Sequence, residues 1–415
     1  MKYIYLILAV IFLTISSSYS QWTTLSSFPN EYAKDIIISG NTVIVATQGT
    51  GIYLTTDGTN TWQPIINGLS NSQALTVYQI LSLGGNIYAA TEDGIYKSSN
   101  NGTNWIKKST GIIVGGGAIY AFTASIFENN GVLYTGAYTG IYRSTDFAES
   151  WNVTNASGSA VMPQFFLNYN GVLFAARETN NQPYGYVSTD NGASWGDLNS
   201  TNAPIITFFS DGGNLWAGTI FGVMLSTNSG STWMTRNNGL SLDPYSSSII
   251  KINSTLITSL KFGGSGVYRT ANNGMNWENI GQGLPFIESI EKLIVYNNKI
   301  LAATTDGIWQ RNISEIITSV SPQSTGIANE FKLYQNYPNP FNPSTFINFN
   351  IPKSSDVKLT IYNVKGDEIA LLVKGELKAG TYKVNWDGSN CATGIYFYKL
   401  ETPAFSETKR MILLK

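Results

Sequence analysis

The chain contains no histidine and a single cysteine, Cys391. The first absence removes the Ser-His-Asp and Cys-His nucleophile systems and every His-ligated metal site. The second removes any internal disulfide, so stability has to come from burial and backbone pairing. Charge is scarce as well: Asp, Glu, Lys and Arg make up 12% of the 415 residues, and no long segment keeps a helical period. What is plentiful instead (40 Gly, 24 Tyr and 10 Trp) suits short strands and tight turns. The formal net charge of −1 conceals a split, since residues 21–330 carry −6 and residues 331–415 carry +4. Neither portion is basic enough to mark nucleic acid as a partner. No cofactor and no metal is expected.

The first twenty residues stand apart. Lys2 precedes the apolar run YIYLILAVIFL, and SSSYS leads to Gln21. A basic start, a short apolar core and small residues before the break read as a secretory signal peptide over 1–20, the run being short for a membrane span. No further membrane segment is expected in the mature chain, and no cysteine follows the break to carry a lipid.

The next three hundred residues repeat themselves. The turn STDNGASW (188–195) has relatives in SSNNGTNW (98–105), STDFAESW (144–151), STNSGSTW (226–233) and TANNGMNW (270–277), with a looser copy, TTDGTNTW, at 55–62. Each follows a Gly-apolar strand start, at Gly51, Gly94, Gly140, Gly185, Gly222 and Gly266; a seventh such start, at Gly307, has no turn after it. Successive glycines are 43, 46, 45, 37, 44 and 41 residues apart, and a period near forty built from short β runs predicts a propeller with one four-stranded blade per repeat. Trp22, in QWTTL at the mature N-terminus, stands in the register of the tryptophans that close the turns. The N-terminus is therefore expected to supply the missing outer strand of the repeat at Gly307, which also removes an exposed sheet edge. Six complete repeats plus one completed in this way predict seven blades over residues 21–311.

The turn pattern Ser/Thr-x-Asp-x-Gly-x-x-Trp makes local sense. The hydroxyl and the carboxylate bond nearby backbone groups, glycine tolerates positive φ, and tryptophan buries a large surface beside the hairpin. These turns resemble Asp-box (BNR-like) repeats, as in bacterial sialidases, sortilin-type receptors, xyloglucan-degrading enzymes and photosystem II stability-factor-like proteins. The resemblance implies a propeller and leaves the activity open. Asp57, Asn100, Asp146, Asp190, Asn228 and Asn272 hold the acidic position. Asn preserves the turn bonds but not a catalytic carboxylate, so all six are expected to be structural. Ala148 replaces the glycine in one copy, and Gly58 comes one position early in another.

From Phe331 the character changes to FKLYQNYPNPFNPSTFINFNIP, VKLTIYNVKG, GTYKVNWDG, GIYFYKL and a closing TKRMILLK. Period-2 runs between Gly, Pro and Asp turns predict a small β-sandwich of immunoglobulin-like type. Taken in order, these segments resemble the type A C-terminal sorting domain of the type IX secretion system of Bacteroidota. That resemblance implies secretion machinery as a partner of residues 331–415 and an extracellular or cell-surface destination. Residues 312–330 read as a linker.

Function is expected on the propeller rim opposite the turns, where second strands connect to third strands. Those connections contain Glu92 and Asp93, Tyr138, the segment from Arg177 and Glu178 to Tyr184, Phe221, Lys261 and Phe262, and Asp306. Tyr138, Arg177, Glu178, Tyr184, Phe221 and Phe262 combine aromatic faces with polar groups and are the candidate binding residues for a glycan or protein ligand. A sialidase site would need three converging arginines, and only Arg177 lies on this rim. The expectation is an exported, non-catalytic binding propeller with no catalytic residue. The alternative is a glycoside hydrolase using a carboxylate pair at the propeller mouth, drawn from Glu92, Asp93, Glu178 and Asp306. A third reading, an assembly factor, would need a membrane-complex client.

Overall fold

A computed structural model describes residues 21–113, 122–157, 161–178, 183–198, 200–261, 266–285, 289–316, 321–324, 329–377, 379–388 and 391–414. Among the described residues the chain is all-β apart from one helical turn, Ile313–Ile316. Among the described residues, strands up to Asn312 form seven four-stranded antiparallel sheets. The first runs Ala33–Ser39, Thr42–Thr47, Ile52–Thr55, Gln63–Pro64 in simple up-and-down order. Five more follow the same order, with first strands at Val77–Leu83, Phe127–Asn129, Phe165–Tyr169, Ile205–Ser210 and Tyr245–Ile252. The seventh takes Ile290–Tyr296, Lys299–Thr304 and Gly307–Asn312 and completes itself with Thr23–Thr24 from the other end of the chain, pairing Thr23 with Gln310 and Thr24 with Trp309.

Alternation in each strand buries one face against each neighbouring sheet, so the core is divided into seven inter-sheet clusters. Tyr88, Ala90 and Ile95 of the second sheet meet Leu133 and Tyr142 of the third. Ile36, Val43 and Val45 of the first meet Leu301, Ala303 and Ile308 of the seventh. That last cluster brings the two ends of the repeat array together, and Ala33–Ser39 packs beside Ile290–Tyr296.

Trp22 occupies the same slot as its counterparts. Trp105, Trp151 and Trp277 donate their indole N–H to the carbonyls of Ile65, Lys108 and Arg236 at 2.7–2.8 Å. Their backbone N–H groups reach the carbonyls two residues further on, of Asn67, Thr110 and Asn238, each at 2.8 Å. Trp22 repeats both contacts, with Ile280 and Gln282, at 2.9 Å. A glycine follows each of the second acceptors (Gly68, Gly111, Gly239, Gly283) with φ of 88–97°, and a Cβ there would sit 2.1–2.7 Å from the tryptophan's carbonyl oxygen. This close approach, rather than turn flexibility alone, requires glycine.

Five of the six eight-residue turns share one three-bond scheme, and the copy at 55–62 keeps the two bonds to Asp57 Oδ1, from Thr55 Oγ1 at 2.8 Å and the Thr61 N–H at 3.0 Å. Ser188 Oγ donates to Asp190 Oδ1 at 2.7 Å, the Gly192 N–H donates to Ser188 Oγ at 2.8 Å, and the Ser194 N–H donates to Asp190 Oδ1 at 2.9 Å. With Asn100 the same three bonds measure 2.8, 2.9 and 2.9 Å. Ala148 keeps the scheme by adopting φ 73°, a conformation that costs an L-residue energy. Hydrogen bonds, chiefly from the side chains of Ser194 and Ser144 respectively, hold the Asp190 and Asp146 carboxyls at about 2.

The C-terminal residues form two further four-stranded sheets. Ser321–Ser324, Gly380–Asp387, Ser344–Ile351 and Lys332–Leu333 make one; Glu368–Leu377, Ser355–Tyr362, Gly394–Thr402 and Phe405–Leu413 make the other. Phe341, Phe349, Trp386, Tyr398 and Met411 fill the core between them. The Pro-rich lead-in clamps the final strand, since the Phe341 N–H donates to the Ile412 carbonyl at 3.0 Å and the Leu414 N–H donates back to Phe341 at 2.9 Å. Within 312–330, expected as a linker, Ile313–Ile316 is helical and Ser321–Ser324 pairs with Gly380–Asp387 as an edge strand.

Candidate functional site

A cavity of about 690 Å³ is lined by side chains from the first strands of the sheets. Five of those strands carry a bulge at the same place. Pairing skips Lys34 in the first sheet, Tyr78 in the second, Ile206 in the fifth, Ser247 in the sixth and Glu291 in the seventh. The extra residue re-aims the side chain, and all five line the cavity. A bulge also leaves backbone groups unpaired, and neighbouring sheets supply partners. Asp35 Oδ2 accepts the Ile80 N–H at 2.8 Å, Gln79 Oε1 accepts the Ile126 N–H at 2.8 Å, and Ser248 Oγ accepts the Leu293 N–H at 3.2 Å. These bonds tie sheet to sheet around the cavity.

Glu291 is the hub of the polar side. Tyr32 Oη and Ser289 Oγ donate to its Oε1 at 2.6 and 2.7 Å. Lys261 Nζ lies 2.7 Å from Oε2, Lys34 Nζ lies 3.6 Å from Oε1, and Lys34 also donates to Tyr32 Oη at 2.9 Å. Burial alone would raise this carboxyl, but Lys261 and Lys34 overcome it and hold the group at about 2. Burial lowers Lys34 against the pull of Glu291, and raises the Tyr32 hydroxyl, with Glu291 adding to the effect. Deeper in, Asp35 is 3% exposed and pairs with Lys292 Nζ at 2.6 Å.

Glu178 joins this cluster from the connection after the fourth sheet's second strand. It accepts a hydrogen bond from Tyr245 Oη and lines the cavity. Burial raises its carboxyl; Lys261 and Lys34 oppose the shift and Glu291 reinforces it. The residue keeps an open side to solvent, so screening limits that effect. Tyr78 and Phe122 meet edge to face on the cavity wall, their ring centroids 5.0 Å apart.

The other expected binding residues are placed differently. Arg177 Nη1 donates to the Pro183 carbonyl at 3.1 Å, and the Arg177 N–H donates to the Tyr184 carbonyl at 3.1 Å, closing their loop upon itself. Tyr138 is 38% and Phe221 61% exposed, and neither they, Arg177 nor the half-buried Tyr184 is among the residues lining the cavity. Phe262 lies outside the described residues. Among the carboxylates weighed for a catalytic pair, Asp93 is a structural anchor. It is 3% exposed and accepts from Tyr96 Oη at 2.5 Å, Lys107 Nζ at 2.7 Å and Asn71 Nδ2 at 3.2 Å. Asp93, Phe221 and Asp306 hold equivalent turn positions, each donating its N–H to a threonine hydroxyl at 3.0–3.1 Å.

Lys34, Tyr78, Ser247 and Glu291 escaped the sequence reading because it looked at connections, whereas these come from bulges in first strands. The signal was present in the segments AKDI, VYQI, IITF, SSSI and IEKL. In four of these segments apolar positions flank a dipeptide of changing chemistry, and in SSSI a serine takes the first flanking position, which interrupts the strict period of two.

The architecture is all-β and propeller-like, and comparison with known proteins agrees. Residues 335–414 match the secretion system C-terminal sorting domain family. The chain thus carries a type IX secretion sorting domain at its C-terminus and is exported to the cell surface or extracellular space. No curated protein matches it. Among solved structures, it is similar to the extracellular domain described as that of a hybrid two-component system from B. thetaiotaomicron (11% identity, TM-score 0.56), covering 96% of this chain and 60% of that one. An ancestral GH74 enzyme is similar at 13% identity and TM-score 0.52, over 94% of this chain and 63% of the enzyme. A mitotic checkpoint complex chain is similar at 10% identity and TM-score 0.53, over 70% and 90% of the two chains. Such identities speak for fold alone. No helix among the described residues is long and apolar enough to cross a membrane, and no group of three acidic or cysteine side chains there could hold a metal ion.

Proposed function

We propose that residues 21–311 are a closed, seven-bladed Asp-box propeller that binds a glycan or protein ligand at its channel mouth and does no chemistry on it. The sorting domain, residues 331–415, is proposed to be an immunoglobulin-like sandwich that hands the cargo to type IX machinery. The observation that carries the binding reading is the cavity in which the buried carboxylate of Glu291 already accepts from Tyr32, Ser289 and Lys261. A carboxylate so fully engaged is a poor nucleophile or base, because protonating or alkylating it would strand Lys34 and Lys261.

The hydrolase alternative keeps one point in its favour. Glu178 is shifted up and Glu291 down, the division of labour an acid and a base require. Glycan and peptide arrays with a parallel hydrolysis assay separate the readings. Glu178→Gln should leave binding intact with no turnover in either form. Changing Tyr138, Arg177 and Tyr184 together to Ala should weaken binding if these residues extend the site over the rim. Turnover in the wild type that vanishes in Glu178→Gln would replace the binding reading with the hydrolase.

A further inference from the structure

The cavity wall changes character around its circumference. Lys34 and Asp35 of the first sheet, Lys261 of the sixth, and Glu291 and Lys292 of the seventh make one arc. In and around the fourth and fifth sheets the opposite arc presents Met162, Phe165, Leu167, Ile206 and Phe209. On the polar arc charges are matched within the protein: Asp35 with Lys292 at 2.6 Å, Glu291 with Lys261 at 2.7 Å and with Lys34 at 3.6 Å. Glu178 supplies a further carboxylate toward Lys261 and Lys34. A charged ligand would meet no surplus of the opposite sign, and burying it there would leave its charge uncompensated. The apolar arc adds a second restriction. Met162, Leu167 and Ile206 set flexible aliphatic groups among the rings of Phe165 and Phe209, a mixed apolar wall that accommodates apolar side chains well.

We infer that the cavity takes a short, extended peptide segment without net charge, in which apolar and neutral polar residues alternate. Successive side chains of an extended chain point to opposite sides, so one set meets the Met162–Leu167–Phe209 arc and the other the Lys34–Glu291–Lys261 arc. Gln164 and Ser210, also on the wall, are placed to meet backbone N–H and carbonyl groups. This rests on the cavity being the ligand site, and names the class of ligand.

Panning a random octapeptide library against the purified exported protein tests it, with a glycan array run beside it and both repeated on a Met162→Ser, Leu167→Asn double variant. Both side chains are only half-buried, and a melting curve checks that the variant is folded. The expected result is enrichment of uncharged, alternating peptides that compete with one another and bind the folded variant roughly tenfold more weakly. Enrichment of charged or non-alternating peptides, no enrichment, or affinities that the double change leaves alone would overturn the inference. Glycan binding weakened by the same double change would also overturn it, while leaving the cavity as the ligand site.

Discussion

The two rims of the repeat array are built from the same repeats and behave in opposite ways. At one rim, turn after turn makes the same three hydrogen bonds, whether the acidic position holds Asp190 or Asn100. At the other, five bulges at one structural position present Lys34, Tyr78, Ile206, Ser247 and Glu291, which have no chemistry in common. Where a repeat protein keeps its residues the same, they are serving what every repeat needs, namely the hairpin and its contact with the next sheet. Variation at one position shapes a single asymmetric surface.

The comparison can be broken first at the closure, where the largest effect is expected. Trp22→Ala removes a side chain only 2% exposed, together with its bond to Ile280. Losses of this kind cost ~3–5 kcal/mol, and denaturant unfolding should show the whole array melting at lower concentration. A loss confined to the seventh sheet, with other sheets unaffected in hydrogen exchange, would mean that the ring does not share its stability.

Glu291→Gln comes next, at about 3 kcal/mol or less, because Lys34 and Lys261 would face each other without their carboxylate. Its pH signature follows from linkage. The folded group titrates at about 2, below the ~4.3 of an unfolded glutamate, so its stabilisation is fully present above about pH 4.3 and is lost as pH falls toward 2. Asp146 and Asp190 act in the same direction. Tm should fall in this window for the wild type and fall less steeply in Glu291→Gln; parallel curves would show that Glu291 is not the titrating anchor.

The smallest effect is expected at the turns themselves. Asp190→Ala should lower Tm slightly, through the lost bonds from Ser188 and Ser194, and leave ligand affinity unchanged. Calorimetric titration of a bound glycan or peptide checks the second half, and a loss of affinity there would give the turn rim a role in binding.

Much of this architecture was legible in the sequence, for a physical reason. Turn chemistry and the Gly-apolar strand starts are local, so spacing alone located the sheets, and the register of Trp22 was enough to anticipate the pairing of Thr23–Thr24 with the last repeat. Export was legible too, because the sorting domain spells out its strands in order. The candidate site was less so. Glu178 was picked out from its connection, but Glu291 and Lys34 gain meaning only when bulges carry residues 257 apart in sequence to the same carboxylate and lysines. The glycines at 68, 111, 239 and 283 were equally silent, since the tryptophan backbone each admits lies in the next repeat or at the opposite end of the chain.

The measurement that bears most directly on the separation of scaffold and site is hydrogen–deuterium exchange with and without the tightest ligand from the glycan and peptide screens. Protection should concentrate in 32–35, 245–261 and 289–292, with the turns at 98–105 and 188–195 unchanged. Protection of those turns with the channel strands unaffected would contradict the account.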